Sequence, residues 1–343
     1  MRISEFDYDL PRELIAQEPL PERDASRLLV LDRGSGAIAH RRFRDLPELL
    51  DPGDLLVLNR SRVFPARLLG RRAGGGEAEV LLVRRQPDGT WDALVRPGRR
   101  LRPGATVEVA DDLSVRVEDG EPGSPLRRVR LLTRDADPEE TVARRGHVPL
   151  PPYIRRPDQA ADRERYQTVY ARETGSVAAP TAGLHFTPAL LDALTARGVE
   201  RAFVVLHVGP GTFRPVEVEQ VEDHRVAPEP CAIPAETADA VARARARGAR
   251  VVAVGTTVAR TLESAALADR GVGAGSSETT LVIVPGRPFR VIDALLTNFH
   301  LPRSSLLLLV AAFAGRERIL AAYAEAVRER YRFYSYGDAM LMR

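Results

Sequence analysis

The sequence predicts an α/β fold: a large three-layer-type α/β domain with an inserted small all-β barrel. Three features carry that prediction. Short unbroken apolar runs at 55–58 and 251–254 read as strands buried on both faces. After residue 160 such runs alternate with helical segments closed by glycine, as at Gly198 and Gly248. Between about residues 65 and 150 the texture changes. There, short β-branched runs are separated by turn signals at Gly74-Gly75-Gly76, Pro87-Asp88-Gly89, Pro97-Gly98 and Pro103-Gly104. A chain of 343 residues is long enough for two units. They are placed at 1–64 plus 151–343, a discontinuous α/β domain, and at 65–150, an inserted basic barrel.

In chain order, residues 12–16 form a short helical segment and 28–31 a strand, which Asp32-Arg33-Gly34-Ser35-Gly36 turns into a second one. The strand at 55–58 ends in Asn59-Arg60-Ser61-Arg62, a polar loop at the carboxyl end of a buried strand, where open α/β sheets form ligand sites. Pro149-Leu-Pro-Pro-Tyr-Ile-Arg155 is stiff and serves as the linker leaving the barrel. Thr187-Pro188 reads as N-cap and first residue of a helix to about 197. A strand over 203–208 carries His207, an amphipathic helix spans 234–247, and Gly255-Thr256-Thr257 links the 251–254 strand to a helix over 258–266. Gly271, Gly273 and Gly275 follow a helix and precede a strand, the wrong context for a dinucleotide fingerprint. The last strand is read at 279–284. Ser304 or Ser305 caps a buried helix through 314, and 316–331 is another. The tail after Arg332 supplies aromatics for stacking on bases or, more commonly, within a core.

Composition excludes several chemistries. All 50 basic residues are arginine, so Schiff-base and pyridoxal-phosphate catalysis and the P-loop lysine are absent. Cys231 is the sole cysteine, which rules out an intrachain disulfide and any Cys-x-x-Cys metal site. It lies at a strand start and reads as a buried structural thiol. The first residues lack the apolar core of a signal peptide, and the longest apolar run, 306–314, is too short to span a bilayer. A cytoplasmic protein without membrane contact is expected. The net charge is +3, yet residues 60–102 hold eleven arginines against four carboxylates, a local +7. A basic β module of this kind fits a polyanion such as RNA, although solvated strand faces give the same pattern.

Two polar clusters stand out in the apolar α/β half. Thr181-Ala182-Gly183-Leu184-His185 precedes a helix start, where a histidine and a glycine turn can meet an anion or substrate oxygen; the same residues also fit a tight turn around a half-buried histidine. Asp293, Thr297, Asn298 and His300 fall within eight residues. Asp293 and His300 are the leading acid–base candidates, with His185 and His207 next; Asp293 follows an apolar Val-Ile pair whose burial of the carboxyl would raise its pKa. Thr181, Thr256, Thr257 and Asn298 suit ribose or carboxylate groups. The segments 59–62, 181–185, 207–212, 255–260, 293–300 and 332–338 are expected to converge on one cleft.

The motifs at 175–186, Leu206-His-Val-Gly-x-Gly-Thr-Phe-Arg-Pro215, Val254-Gly-Thr-Thr257 with Arg260, Thr297-Asn-Phe-His-Leu-Pro302 and 331–340, together with Pro65-Ala-Arg-Leu68 and Leu150-Pro-Pro-Tyr-Ile154, resemble the S-adenosylmethionine:tRNA ribosyltransferase-isomerase family of queuosine biosynthesis from one end of the chain to the other. The resemblance implies transfer and isomerisation of the ribosyl part of S-adenosylmethionine onto 7-aminomethyl-7-deazaguanine at the tRNA wobble position, with adenine and methionine leaving. It implies no cofactor beyond S-adenosylmethionine as co-substrate, no metal, and a monomer or weak oligomer. It adds His224 to the catalytic candidates, and Gly183, Gly211, Thr212 and Arg260 to the substrate-binding set. Arg62, Arg67, Arg99 and Arg100 are the expected tRNA contacts. The chain departs from the family pattern in Arg60-Ser61, in Pro210, and in Ala227, which stands where a second histidine follows His224. Two other classes would leave different marks. An S-adenosylmethionine-dependent RNA methyltransferase would show a glycine-rich loop after its first strand, and a non-catalytic RNA-binding protein would not need these polar clusters.

Overall fold

Four parallel strands make the centre of the protein: Glu200–Leu206, Leu55–Asn59, Val251–Val254 and Ala294–Asn298, neighbours in that order. The computed structural model describes residues 1–120, 124–213 and 216–343, with the side chains of Thr212 and Phe213 also outside the description. Beyond Ala294–Asn298 the sheet continues through Ala339–Met342, Arg27–Leu31 and Ile38–Arg42. At the other edge lie Glu229–Ile233 and Gly275–Thr279, which completes nine strands.

Strand alternation splits the core into two layers. Leu55, Val57, Val251, Ala253 and Leu295 face one way, against the helices Ala235–Ala246, Thr256–Ser264, Ser305–Ala314 and Arg316–Arg328. Leu56, Leu58, Val252, Val254 and Leu296 face the other way, against Leu46–Leu49 and Pro188–Ala196. Each such leucine, fully removed from water, contributes about 1.5–3 kcal/mol. The three-layer α/β expectation therefore holds.

The barrel is closed and antiparallel throughout. Its six strands are Arg67–Arg72, Glu77–Arg85, Trp91–Arg96, Thr106–Ala110, Leu113–Glu118 and Arg127–Thr133. Leu68, Val80, Ala93, Val107, Val115 and Val129 fill its interior. The chain enters and leaves side by side, since Arg67 and His147 exchange backbone hydrogen bonds of 3.3 and 2.8 Å. Phe64, just before the barrel, stacks on Trp91 with ring centroids 5.5 Å apart.

Several elements differ from the sequence expectation. The strand read at 279–284 forms at Gly275–Thr279 instead, where exposed polar side chains hide an edge strand held by its backbone. Two fully buried central strands depart from the expected pattern. Ala294–Asn298 carries the polar cluster read as a site, and Ala339–Met342 lies beyond the aromatic tail. That tail packs inward: Tyr331 and Phe333 are buried against Phe299 at 5.5 and 5.0 Å. Among the described residues no helix is long and apolar enough to cross a membrane.

Candidate active site

Parallel strands deliver their carboxyl ends to one side of a sheet, and the polar segments collect there. After Val251–Val254 the chain turns at Gly255, φ +91°, whose N–H donates to the Leu296 carbonyl at 2.7 Å. The helix Thr256–Ser264 then starts at the cleft. After Ala294–Asn298 come Phe299 and His300, then Ser304, which caps Ser305–Ala314 by accepting from the Leu307 N–H at 3.2 Å. Two helix N-termini thus border one space, each bringing unpaired N–H groups and a partial positive charge. Ala178–Ala182, Tyr153, Tyr334 and Ser335 complete the walls of a cleft. No carboxylate and no guanidinium lines it among the described residues.

His300 is its one imidazole among the described residues. Nε2 lies 3.0 Å from Thr297 Oγ1, and the main chain is fixed by Tyr323, whose hydroxyl accepts from the His300 N–H at 3.0 Å, and by Tyr8, whose hydroxyl donates to the His300 carbonyl. Nδ1 has no partner among the described residues and keeps contact with open space. Burial lowers the His300 pKa to about 3, so the ring is neutral at physiological pH.

Asn298 stands beside it, oriented from behind. Its Nδ2 donates to His185 Nε2 at 3.1 Å and lies 3.1 Å from the Tyr334 carbonyl. His185 therefore carries its proton on Nδ1 and donates it to Ser26 Oγ at 2.7 Å, while its ring stacks on Phe43 at 4.8 Å. Burial is the main cause that lowers the His185 pKa, again to about 3. Asn298 Oδ1 is left buried and without a partner. So is the hydroxyl of Tyr334, a residue held at φ +74° whose ring meets Tyr153 at 4.2 Å. A non-glycine residue in the left-handed region at a cleft wall marks backbone held for a purpose. Tyr153 is not among the expected site residues, hidden in a segment that reads as a linker; Tyr334 lies in the 332–338 segment expected at the cleft, with no role assigned to it there.

The cleft gathers Thr181, Thr256, Thr257, Asn298 and His300. Other expected residues lie elsewhere. Asp293 is a correction: it precedes the strand whose far end carries Asn298, and it is paired there with Arg245 at 2.6 Å and Arg270 at 3.0 Å. Strand pleating sends His207 to the opposite side from Val208, into a separate groove with Arg60 and Glu173. Burial lowers the His207 pKa and Glu173 partly offsets this. His185 sits behind the cleft rather than on it. His224 lies in a loop beside Val221–Asp223, outside the cleft lining, its pKa lowered by burial and by Arg225.

Gly183 makes room for protein, not ligand: a Cβ there would meet the Tyr170 hydroxyl at 2.1 Å. Gly211 is exposed with open space around it, and Thr212 follows in the turn Pro210–Phe213 with its side chain outside the described residues. Arg260 is buried in an ion pair with Glu229, which in turn accepts from the Gly209 N–H at 3.0 Å. Its part is to hold the Gly209-Pro210-Gly211 loop. A wider hollow of about 2790 Å³ lies on the barrel, but it is open and bordered by paired surface charges such as Arg67–Glu79 and Arg145–Asp112. Its size carries no chemistry.

The family described as "Queuosine biosynthesis protein" matches residues 3–342. A protein of Geobacter sulfurreducens named S-adenosylmethionine:tRNA ribosyltransferase-isomerase is 54% identical over 344 residues, covering 100% of both chains. One of the same name from Moorella thermoacetica is 56% identical over 344 residues, again covering 100% of both. The crystal structure of the S-adenosylmethionine tRNA ribosyltransferase of Thermotoga maritima shares the fold with a TM-score of 0.57, at 42% identity over 99% of this chain and 100% of that one.

Proposed function

The chain belongs to the queuosine biosynthesis protein family, and from that premise we propose that it carries out the reaction for which its curated relatives are named. It moves the ribosyl part of S-adenosylmethionine to the aminomethyl group of 7-aminomethyl-7-deazaguanine in tRNA. The sugar is isomerised to give epoxyqueuosine-tRNA, and adenine and methionine leave. The attacking group is the substrate's own amine, so no lysine or cysteine nucleophile is required of the protein.

The observation that carries this reading is the uncharged cleft with a neutral histidine in it. A carboxylate in contact with the sulfonium would stabilise it in the ground state and weaken the acidity of the adjacent C–H. Neutral, water-poor walls leave that acidity intact. With Nε2–H turned to Thr297, His300 Nδ1 presents a lone pair and takes the proton; the imidazolium can then return it to departing adenine. Asn298, set by His185, orients the ribose. The N–H groups at Thr256 and Thr257 suit the methionine carboxylate, and the Tyr153–Tyr334 pair suits the adenine face.

The test is to incubate labelled S-adenosylmethionine with tRNA bearing the modified base and to follow free adenine and methionine. Equimolar release of both is expected. S-adenosylhomocysteine instead would identify a methyltransferase, and no release would leave a binding protein. In the same assay His300→Ala should lower kcat by roughly 10²-fold or more. Near-normal turnover would remove His300 from the chemistry.

A further inference from the structure

His300 stands on the connection between Ala294–Asn298 and Ser305–Ala314, where neither a strand nor a helix holds the main chain. Buried peptide groups in such a place need partners from elsewhere. Both come from tyrosines distant in sequence. The Tyr323 hydroxyl, on the helix Arg316–Arg328, accepts from the His300 N–H at 3.0 Å, and the Tyr8 hydroxyl donates to the His300 carbonyl. Among the described residues neither group has a main-chain partner.

Tyr8 belongs to an N-terminal segment that grips the same connection at two further points. The Phe6 carbonyl accepts from the Arg303 N–H at 2.9 Å, and the Asp7 carboxylate accepts from Arg303 Nε at 2.8 Å. Arg303 is held at φ +55°, where a side chain is disfavoured and the surroundings must fix the backbone. Phe6 is fully buried and anchors the segment in the core. The rings of Tyr8 and Tyr323 meet edge to face with centroids 5.1 Å apart, so the two braces support each other. Burial raises the pKa of both hydroxyls, which keeps Tyr8 a donor over the whole working range of pH. Neither tyrosine lines the cleft.

The imidazole is tethered at one end by Thr297, 3.0 Å from Nε2, and at the other by its own backbone. Thr297 limits rotation of the ring, whereas the two tyrosines fix the point from which it hangs. A displacement of that point moves Nδ1 with it, and a misplacement of about 1 Å at a reacting group can cost roughly 10²-fold in rate. We propose that Tyr8 and Tyr323 are positioning residues of the reaction: they touch no substrate, and through the peptide groups of His300 they hold its Nδ1 where the proton is taken. The proposal rests on the functional reading above, in which His300 is the base.

The test is a double-variant cycle on the full chain, with wild type, Tyr8→Phe, His300→Ala and the combination of the two. Adenine release is followed at a temperature well below every thermal midpoint, over a range of both substrates. Tyr8→Phe removes one oxygen and keeps the ring against Tyr323. It should lower kcat roughly 10- to 100-fold and leave both KM values unchanged. In the His300→Ala background the same change should have no effect, because the group it positions is gone. Tyr323→Phe should give the same pattern, and it carries the test if Tyr8→Phe does not fold. Wild-type kcat in either folded tyrosine variant would overturn the proposal, leaving these hydroxyls a part in stability alone. Losses that multiply with that of His300→Ala, or a raised KM at unchanged kcat, would overturn it as well. Normal turnover in His300→Ala would instead overturn the functional reading itself.

Discussion

At the scale of single residues, the site depends on histidines kept neutral by burial rather than poised near pH 7. His185 and His300 both have a pKa of about 3 in the folded chain, against an ordinary value of 6.5. Between these values the unfolded chain binds protons that the folded chain refuses, so stability falls as pH drops from about 6.5 toward 3. Each ring adds up to about 1.4 kcal/mol per pH unit across that window. Urea unfolding at pH 7 and pH 4.5 should show this decrease, and His300→Asn should reduce it by roughly half. An unchanged slope in the variant would mean that His300 titrates normally. His300, Asn298 and His185 are visible in the sequence as a polar set within apolar surroundings. Their division of labour is not, because it depends on which neighbour each ring meets. Asp293 misleads for the same reason: the five-residue strand separates it from the site by roughly 17 Å, at about 3.3 Å per residue.

At the scale of elements, the Thr181–His185 turn shows how a glycine can be read correctly for its smallness and wrongly for its purpose. Tyr170 fills the space that a side chain at Gly183 would need, and its buried hydroxyl has no hydrogen-bond partner. Gly183→Ala should destabilise the fold by about 1–3 kcal/mol through overpacking. Adding Tyr170→Phe removes the clashing oxygen and should recover part of that stability, while Thr168, which the new Cβ would meet at 2.8 Å, keeps recovery incomplete. Denaturation midpoints of the two single variants and the double variant decide it; strictly additive effects would show that the hydroxyl is not the obstacle. Glycine-capped helices and doubly buried strands are legible from the sequence. Ala294–Asn298 is not, because its end carries site residues that interrupt the apolar run, and Ala339–Met342 is too short to register beside an aromatic tail.

At the scale of the whole molecule, the barrel is legible from its turn spacing, and its charge only in part. Of the arginines in 60–102, Arg67, Arg84 and Arg85 are tied to Glu79, Glu278 and Glu139, and Arg60 to Glu173. Arg96, at the end of Trp91–Arg96, and Arg99, Arg100 and Arg102, in the segment that follows it, are exposed with no ion pair among the described residues. Arg62 is exposed too, with a single bond of 3.4 Å to the Ala171 carbonyl. Charge reversal at Arg99 and Arg100 should raise the KM for tRNA and flatten its salt dependence by roughly 0.7–0.9 in log–log slope for each phosphate no longer neutralised. The KM for S-adenosylmethionine should not move. tRNA binding that keeps its salt slope would place the RNA on another face.

The position of Ala339–Met342 bears on how the protein is made. It lies between Ala294–Asn298 and Arg27–Leu31, so the hairpin at 27–42 joins the sheet only through a segment made long after it. Until that segment is made, two strands that end up buried wait with unpaired edges, open to pairing with other chains. A nascent chain stalled or cut before residue 339 keeps both edges open and becomes a target for chaperones and proteases.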